Sequence, residues 1–261
     1  HGDDGQKQLT FNLFSNYGAS WDPTGKNILY TAITARGTRV FMQGFRPLRV
    51  KSVEVFFDEG TGSAAEWGST GRVFISKYVN RSNTDIYEYY LDGEKIYGMP
   101  TPKLRESDRL TKNSAIETEP ALSPDGRYLA LISDRTGSPQ VYVRDMQRKK
   151  LTRITENGKY NVSPSWSPDG KFIAYASRRS GVSSIYRIDP KSKEENRVTP
   201  KNMNAESPSW SPDGSMIAFS GKKGGDWKIY YSLSSGGQAV RFTNSKAGLQ
   251  ETMPSWGPSL R

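Results

Sequence analysis

Cysteine is absent from this 261-residue chain, and histidine occurs once, as the first residue. Without cysteine the chain cannot form disulfides, thiolate metal sites or a cysteine nucleophile. With His1 as its single imidazole, it also lacks the internal histidine that a Ser-His-Asp triad or a multi-histidine zinc site requires. The sequence therefore excludes several common classes of hydrolase and metalloenzyme.

Long apolar segments are also missing. Hydrophobic residues make up 34% of the chain, and no apolar run reaches the roughly 20 residues that a transmembrane helix needs. The chain opens with the polar string HGDDGQKQ, which lacks a signal-peptide pattern, although a mature exported protein would already have lost its signal. We expect no transmembrane segment, and composition alone leaves the compartment open.

Several chemical motifs are absent as well. The chain contains no G-x-S-x-G elbow, no P-loop, no G-x-G-x-x-G turn and no D-x-D-x-D-G calcium loop. Acidic residues are outnumbered, 27 against 37 basic ones, which gives a formal net charge of +10. Such a balance suits anionic partners. Because the basic clusters are distributed rather than striped, we do not expect nucleic-acid binding.

What the sequence does contain is a repeat. The eight residues SPSWSPDG occupy positions 163–170 and return unchanged at 207–214. Weaker copies share an anchor, which is tryptophan in all but one unit, at Trp21, Trp67, Leu122, Trp166, Trp210 and Trp256. The successive spacings are 46, 55, 44, 44 and 46 residues. A period of this size is typical of solenoids and propellers.

Each unit has the pattern of four short strands. An apolar or β-branched run follows the anchor, as in KFIAYAS from Lys171, and a second aromatic strand follows a glycine-containing turn, as in SIYRID from Ser184. A last short strand ends in threonine, as in DRLT, TRIT, NRVT and VRFT. No segment shows helical periodicity. The repeat therefore predicts an all-β protein, a β-propeller of four-stranded blades forming one domain over residues 1–261.

The residues at the repeated turn have physical reasons to be there. Proline presets φ, aspartate bonds its own backbone, and glycine adopts a positive φ without a Cβ clash. The tryptophan before the turn is large and apolar, so we expect it to wedge between neighbouring blades. The residues predicted to define the structural repeat are Trp166, Pro168, Asp169 and Gly170, and Trp210, Pro212, Asp213 and Gly214.

The repeat P-x-W-S-P-D-G-x-x-I-A-F/Y resembles the WD-related repeat of the TolB-like β-propeller family. The resemblance runs from about Gln8 to Trp256 and is strongest between Leu122 and Trp256. It implies a ring of six blade positions, with the last one completed by both chain ends; a five-bladed ring is the alternative. The additional α/β domain that precedes the propeller in TolB has no counterpart in this sequence.

The resemblance also implies a function. It indicates a non-catalytic protein-interaction module of the Tol-Pal system in the cell envelope, located in the periplasm and docking an envelope protein such as a peptidoglycan-associated lipoprotein at one face of the ring. We expect a monomer that is not an enzyme. The alternative is a propeller enzyme, or the accessory propeller of a peptidase, that acts on polysaccharide or peptide.

Candidate partner-binding residues follow from the turns between second and third strands, which propeller geometry places on one face. These turns carry cations, and carboxylates lie near the starts of the inner strands. The predicted contacts are Arg135, Arg178, Arg179, Lys222 and Lys223 on the rim and Glu117, Glu206 and Glu251 near the channel mouth. Arg36 and Arg81 occupy the same turns in the first two units. Local salt bridges are the alternative role for these arginines.

We predict no cofactor and no metal site. The aspartates of the repeated turns, such as Asp125, are explained as turn formers. A ring of carboxylates that includes Glu119 would have the ligand chemistry for calcium in the central channel, but individually solvated carboxylates account for the same residues.

Overall fold

The structure of the protein, a computed structural model, describes residues 15–35, 37–44, 53–56, 61–68, 71–80, 82–92, 95–96, 99–100 and 103–257. These residues form five four-stranded antiparallel sheets and one small hairpin. Each sheet is one blade of a β-propeller, which confirms the predicted all-β class and blade type. Within the described ranges, no helix is long and apolar enough to cross a bilayer.

The strands follow the repeat. Blade one comprises β1 (Ser15–Trp21), β2 (Asn27–Thr34), β3 (Gly37–Gly44) and β4 (Val53–Phe56). Blade two comprises β5 (Thr61–Trp67), β6 (Arg72–Asn80), β7 (Asn83–Asp92) and β10 (Lys103–Arg109). The hairpin of β8 (Lys95–Ile96) and β9 (Met99–Pro100) is inserted before β10. This insertion explains the long spacing of 55 residues between the second and third anchors.

The remaining three blades have uninterrupted order. Blade three comprises β11 (Glu117–Leu122), β12 (Tyr128–Ser133), β13 (Gln140–Asp145) and β14 (Leu151–Arg153). Blade four comprises β15 (Tyr160–Trp166), β16 (Ile173–Arg179), β17 (Val182–Ile188) and β18 (Glu195–Arg197). Blade five comprises β19 (Asn204–Trp210), β20 (Met216–Lys222), β21 (Lys228–Leu233) and β22 (Val240–Arg241).

The prediction of six blades is wrong, because the described residues form five. Each blade uses an anchor and the hairpins that follow it, whereas the sixth anchor, Trp256, is followed by no described strand. The segment around Trp256 instead lies between blade five and blade one. The backbone N–H of Trp256 donates to Ser209 Oγ of blade five at 2.8 Å, and Trp21 Nε1 of blade one donates to the carbonyl of Ser255 at 3.2 Å. We call this junction the seam.

The repeated turn forms the predicted hairpin between the first and second strands of a blade. In blade four, the carboxylate of Asp169 accepts hydrogen bonds from Ser167 Oγ at 2.7 Å and from the N–H of Lys171 at 3.1 Å. Gly170 has a φ of 68°, a conformation that glycine adopts without strain. A Cβ at this position would lie 3.8 Å from Cδ of Pro124 in the preceding repeated turn, so the turns of neighbouring blades lie close together.

The anchor tryptophans link successive blades, as predicted. Trp166 Nε1 donates to the carbonyl of Ala121, and Trp210 Nε1 donates to the carbonyl of Ser165, both at 3.0 Å. Both indoles belong to buried clusters that contain residues of two blades. Four such clusters join blades one to two, two to three, three to four and four to five. None of the clusters formed by described residues spans the seam.

The threonine that ends each outer strand has a structural role. In blade four, Thr199 Oγ1 accepts the N–H of Ile185 at 3.1 Å, and its carbonyl accepts Arg197 Nε at 2.9 Å. The same pair of bonds occurs in blade three through Thr155 and Arg153. The motif therefore ties the short outer strand to its neighbour, and the arginine in it is engaged within the blade.

Candidate functional site

One end of the ring carries the turns between second and third strands together with the starts of the inner strands. The register shows this directly, because Tyr160 at the start of β15 lies opposite Arg178 near the end of β16. In blade five, Asn204 lies opposite Lys222 in the same way. We call this end the crest face; the repeated Pro-Asp-Gly turns lie at the opposite end.

Two of the predicted rim arginines are engaged inside their blades. Arg135 forms an ion pair with the fully buried carboxylate of Glu117, donates to Ser133 Oγ at 3.1 Å, and lies 5.3 Å from the ring centre of Tyr142. Asn113 Nδ2 also donates to Glu117, at 2.9 Å. A carboxylate bound in this way is held by its charged partner and hydrogen bonds.

Arg179 makes more hydrogen bonds to its carboxylate partner than Arg135 does. Its guanidinium makes two parallel hydrogen bonds to Glu195, at 2.7 and 2.8 Å, and stacks 3.7 Å from the ring centre of Tyr186. Burial opposes ionisation of Glu195, but the hydrogen bonds from Arg179 and Tyr175 outweigh it and lower the pKa of that carboxyl. The predicted role of Arg135 and Arg179 as partner contacts stays a prediction, and both now have a local structural role.

The other three predicted cations project from the crest face. Arg178, Lys222 and Lys223 are exposed, and none of them forms a salt bridge with another residue in the described part of the chain. Lys223 occupies the repeat position of Arg179, but the position of Glu195 is taken by Ala239, so its carboxylate partner is missing. The crests of blades four and five therefore carry exposed cations that form no salt bridge with the described residues.

Two further lysines, Lys159 and Lys201, extend this basic surface. Lys159 and Tyr160 precede and begin β15, both are exposed, and with Arg178 they line a shallow groove between two turns of blade four. Lys201 is exposed in the loop that leads into β19. Sequence reasoning missed them because they lie in the loops before the inner strands. Their signal was a lysine shortly before an inner strand in two successive units.

The predicted acidic residues of the channel mouth have different environments. Glu206 is exposed on the inner strand of blade five, and its charge contributes to raising the pKa of Tyr160, after the larger effect of burial. Glu251 is mostly buried, and its carboxylate lies 3.7 Å from Lys228 Nζ. Together with the buried Glu117, these residues do not form one exposed ring. In the described part of the chain, no three acidic or histidine side chains are grouped to hold a metal ion.

A cavity of about 660 Å³ lies along the axis of the ring. Prolines and serines line it, together with the anchors Trp21, Leu122, Trp166, Trp210 and Trp256 and with three acidic residues, Asp22, Glu66 and Glu119. Burial raises the pKa of Glu66 to about 7, opposed by a hydrogen bond from Ser20. Burial also raises the pKa of Glu119, whose carboxylate accepts the N–H of Ser163 at 2.6 Å.

Glu66 was not among the predicted site residues, although its signal is visible in the repeat. It directly precedes the anchor Trp67, a position that holds serine in four other units and alanine in one. A carboxyl at a position otherwise filled by a small side chain marks a local change in the channel wall. Arg36, Arg81 and His1, which sequence analysis considered, lie outside the described residues.

Comparisons with known proteins agree with this architecture. The family model of the TolB beta propeller domain matches residues 3–260. The TolB homolog of Chlorobaculum tepidum is 30% identical over 127 residues, which are 48% of this chain and 25% of the relative. The Tol-Pal system protein TolB of Bordetella pertussis is 50% identical over 34 residues, 13% of this chain and 8% of the relative. The matched regions thus span a quarter or less of these relatives.

Solved structures show the same fold. TolB from Acinetobacter baumannii superposes with a TM-score of 0.82 at 23% identity, covering 99% of this chain and 61% of that one. An oligogalacturonate lyase in complex with manganese superposes with a TM-score of 0.61 at 13% identity, covering 92% and 69% of the two chains. At these identities the likeness concerns the fold alone. The family match across nearly the whole sequence shows that this chain belongs to the TolB β-propeller family.

Proposed function

We propose that this chain is a non-catalytic interaction module of a Tol-Pal-type system, which docks an envelope protein on its crest face in the periplasm. The observation that carries the proposal is the exposed positive charge on the crests of blades four and five, at Arg178, Lys222 and Lys223, which form no salt bridge with the described residues. The partner named by the resemblance, a peptidoglycan-associated lipoprotein, is the first to test.

The geometry supports docking on a preformed surface. The turns that present Arg178 and Lys222 are ends of hydrogen-bonded hairpins in well-packed blades. A partner with a complementary acidic surface would be steered by these charges and would need little backbone change to bind. Glu206, exposed on the same face, offers a site for a basic group of that partner.

The proposed role requires no chemistry from the chain itself. Its only histidine is the first residue, and the three acidic residues that line the cavity, Asp22, Glu66 and Glu119, belong to three different blades. The enzymes with a similar fold share too little sequence to transfer an activity. The proposal therefore assigns the crest face to binding.

The test measures the affinity of the chain for a purified peptidoglycan-associated lipoprotein from the same source organism by titration calorimetry. Replacing Arg178, Lys222 and Lys223 with serine should weaken binding by about tenfold or more, since each removed charge pair contributes up to about 1 kcal/mol. Arg135 and Arg179 are left unchanged, because their removal would also disturb the blades.

A matched control changes the same number of charges on the opposite end of the ring. Lys149, Lys171 and Lys191 are exposed there, and their replacement with serine should leave the affinity within about twofold. Equal losses in the two variants would assign the effect to net charge and contradict a specific crest site. No binding by the unchanged chain would overturn the proposed partner.

A further inference from the structure

Blade four presents an aromatic side chain beside two cations on the crest face. Tyr160 begins β15 and lies opposite Arg178 in the register of the first two strands. Tyr160 is 48% exposed, and Lys159 and Arg178 are exposed as well. These three residues line a groove of about 540 Å³ between the loop before β15 and the turn that joins β16 to β17. We call it the blade-four groove.

The same repeat position takes part in internal hydrogen bonds in the neighbouring blades. In blade three the equivalent pair is Ile116 and Asp134, and the carboxylate of Asp134 accepts the N–H of Ile116 at 2.8 Å. In blade five the equivalent of Tyr160 is Asn204, whose side-chain oxygen accepts the N–H of Ser183 at 3.2 Å and so links blade five to blade four. Blade four therefore differs from both neighbours in placing an aromatic ring and a cation here.

The polar ends of the three groove side chains have no internal partner. In the part of the chain that the structure describes, the Tyr160 hydroxyl, Lys159 Nζ and the Arg178 guanidinium form no hydrogen bond and no salt bridge. The next residue, Arg179, shows the opposite behaviour, because its guanidinium is bound to Glu195. The two exposed cations of the groove are therefore available to a ligand.

Hydrogen bonds and close packing hold the loop wall of the groove in place. Asn161 Nδ2 donates to the carbonyl of Asn157 at 2.9 Å, and Gln140 Nε2 donates to the carbonyl of Gly158 at 3.3 Å. Gly158 has a φ of 81°, and a Cβ there would lie 2.7 Å from Ser177 Oγ, so the loop lies tightly against β16. A ligand would thus meet a preformed groove and would lose little affinity to ordering of the loop.

Acidic residues of the neighbouring blades lie near the Tyr160 hydroxyl. Burial raises the pKa of this phenol, and the charges of Glu119 and Glu206 raise it further, so both carboxylates are close to it. Glu119 is engaged, because its carboxylate accepts the N–H of Ser163 at 2.6 Å, whereas Glu206 is exposed. The groove therefore combines two cations and an aromatic ring with one accessible carboxylate. That carboxylate would repel a uniform polyanion such as an acidic polysaccharide.

We propose that the blade-four groove anchors the docked partner by taking a peptide segment in which an acidic residue adjoins an aromatic one and a basic residue lies nearby. The aromatic side chain would pack on the ring of Tyr160, the carboxylate would pair with Arg178 and Lys159, and the basic group would meet Glu206. An aromatic contact beside a charge pair is typical of the few residues that dominate an interface. The inference rests on the proposed docking role of the crest face and names the part of that face that recognises the partner.

The test follows the binding of a fluorescently labelled, end-blocked peptide to the full chain by anisotropy. The peptide contains a glutamate–phenylalanine pair and one lysine. Tyr160→Ala should weaken binding by about tenfold or more, whereas Tyr160→Phe should keep most of the affinity, because the ring makes the contact. Arg178→Ala should weaken binding by about threefold to fivefold and reduce its dependence on salt, since one screened charge pair is lost.

Matched controls separate the groove from the rest of the crest face. Ile116→Ala changes the equivalent position of blade three, where the side chain is 45% exposed, and should alter the affinity for the peptide by less than about twofold. Lys222→Ala removes an exposed cation from blade five and should have a smaller effect than Arg178→Ala. The Tyr160→Ala variant should keep the circular dichroism spectrum of the unchanged chain. A peptide with lysine in place of glutamate should not bind.

The same variants distinguish this inference from the proposed function. If the lipoprotein tested above binds the chain and Tyr160→Ala leaves its affinity unchanged, the anchoring role of the groove is overturned while docking on the crest face stands. If the peptide binds through Tyr160 but the lipoprotein does not bind, the groove stands and the proposed partner is wrong. Equal binding of the glutamate and lysine peptides, or displacement of the peptide by an acidic polysaccharide, would also overturn the inference.

Discussion

Blades four and five begin with the same eight residues, yet they place equivalent side chains in different environments. Arg179 of blade four is clamped by Glu195 and Tyr186, whereas Lys223 of blade five is exposed. The register between the first and second strands is the same in the two blades, with an offset of 44 residues. The difference teaches that the repeat sets the backbone of a blade, while residues outside the repeated motif, here Glu195 against Ala239, set whether the cation of a turn is paired.

The largest effect on stability is expected at the anchor tryptophans. Trp210 is 7% exposed between blades four and five, and Trp256 is 37% exposed at the seam. Trp210→Ala should lower the free energy of unfolding by about 3–5 kcal/mol, and Trp256→Ala by about 1 kcal/mol, because a cavity forms only where the surroundings are packed. Urea unfolding measures both. Equal losses would show that the seam is packed as tightly as an interface between blades.

An intermediate effect is expected at the turn position shared by Arg179 and Lys223. Arg179→Ala should lower stability by about 1–3 kcal/mol, because it leaves the partly buried carboxylate of Glu195 without its charged partner. Lys223→Ala should change stability by less than about 0.5 kcal/mol. Arg179→Lys should restore little, since lysine cannot make two parallel bonds. A large loss of stability in Lys223→Ala would contradict the difference that we describe between these two turn positions.

The smallest effect concerns the position before the anchor, which is Glu66 in blade two and Ser209 in blade five. Because burial raises the pKa of Glu66 from its usual 4.5 to about 7, the folded state binds a proton more tightly than the unfolded chain. This carboxyl therefore reduces stability as pH rises from about 4.5 to 7, and the loss is complete above that range.

The Glu66→Gln variant removes this titration. It should be more stable than the unchanged chain at pH 8, by on the order of 1 kcal/mol, and similar to it near pH 4.5. Thermal unfolding at the two pH values measures the difference, and Ser209→Ala serves as a control without a titrating group. An identical pH dependence of Glu66→Gln and the unchanged chain would contradict the raised pKa.

Much of the fold was predictable from local sequence. The Pro-Asp-Gly turns, the strands beside them and the wedging of Trp166 and Trp210 follow from residue chemistry at a fixed period. The blade count was not predictable in this way. Six anchors in the sequence indicate six units, but Trp256 is followed by no described strand that would complete a blade. The sequence correctly predicted that the turns between second and third strands lie at the same end of the ring as the starts of the inner strands, whereas partner binding there stays a prediction. The repeat did not distinguish the paired Arg179 from the exposed Arg178.

The sequence by itself determined the repeat, its turns and its strands, because these depend on backbone preferences within a few residues. Only the tertiary structure decided that Arg135 and Arg179 form salt bridges within their blades, that Lys222 and Lys223 form none with the described residues, and that Phe242 is exposed while Val198 is buried. These outcomes depend on partners far apart in the chain. Burial and ion pairing are properties of neighbours in space, and a repeated sequence does not guarantee repeated neighbours.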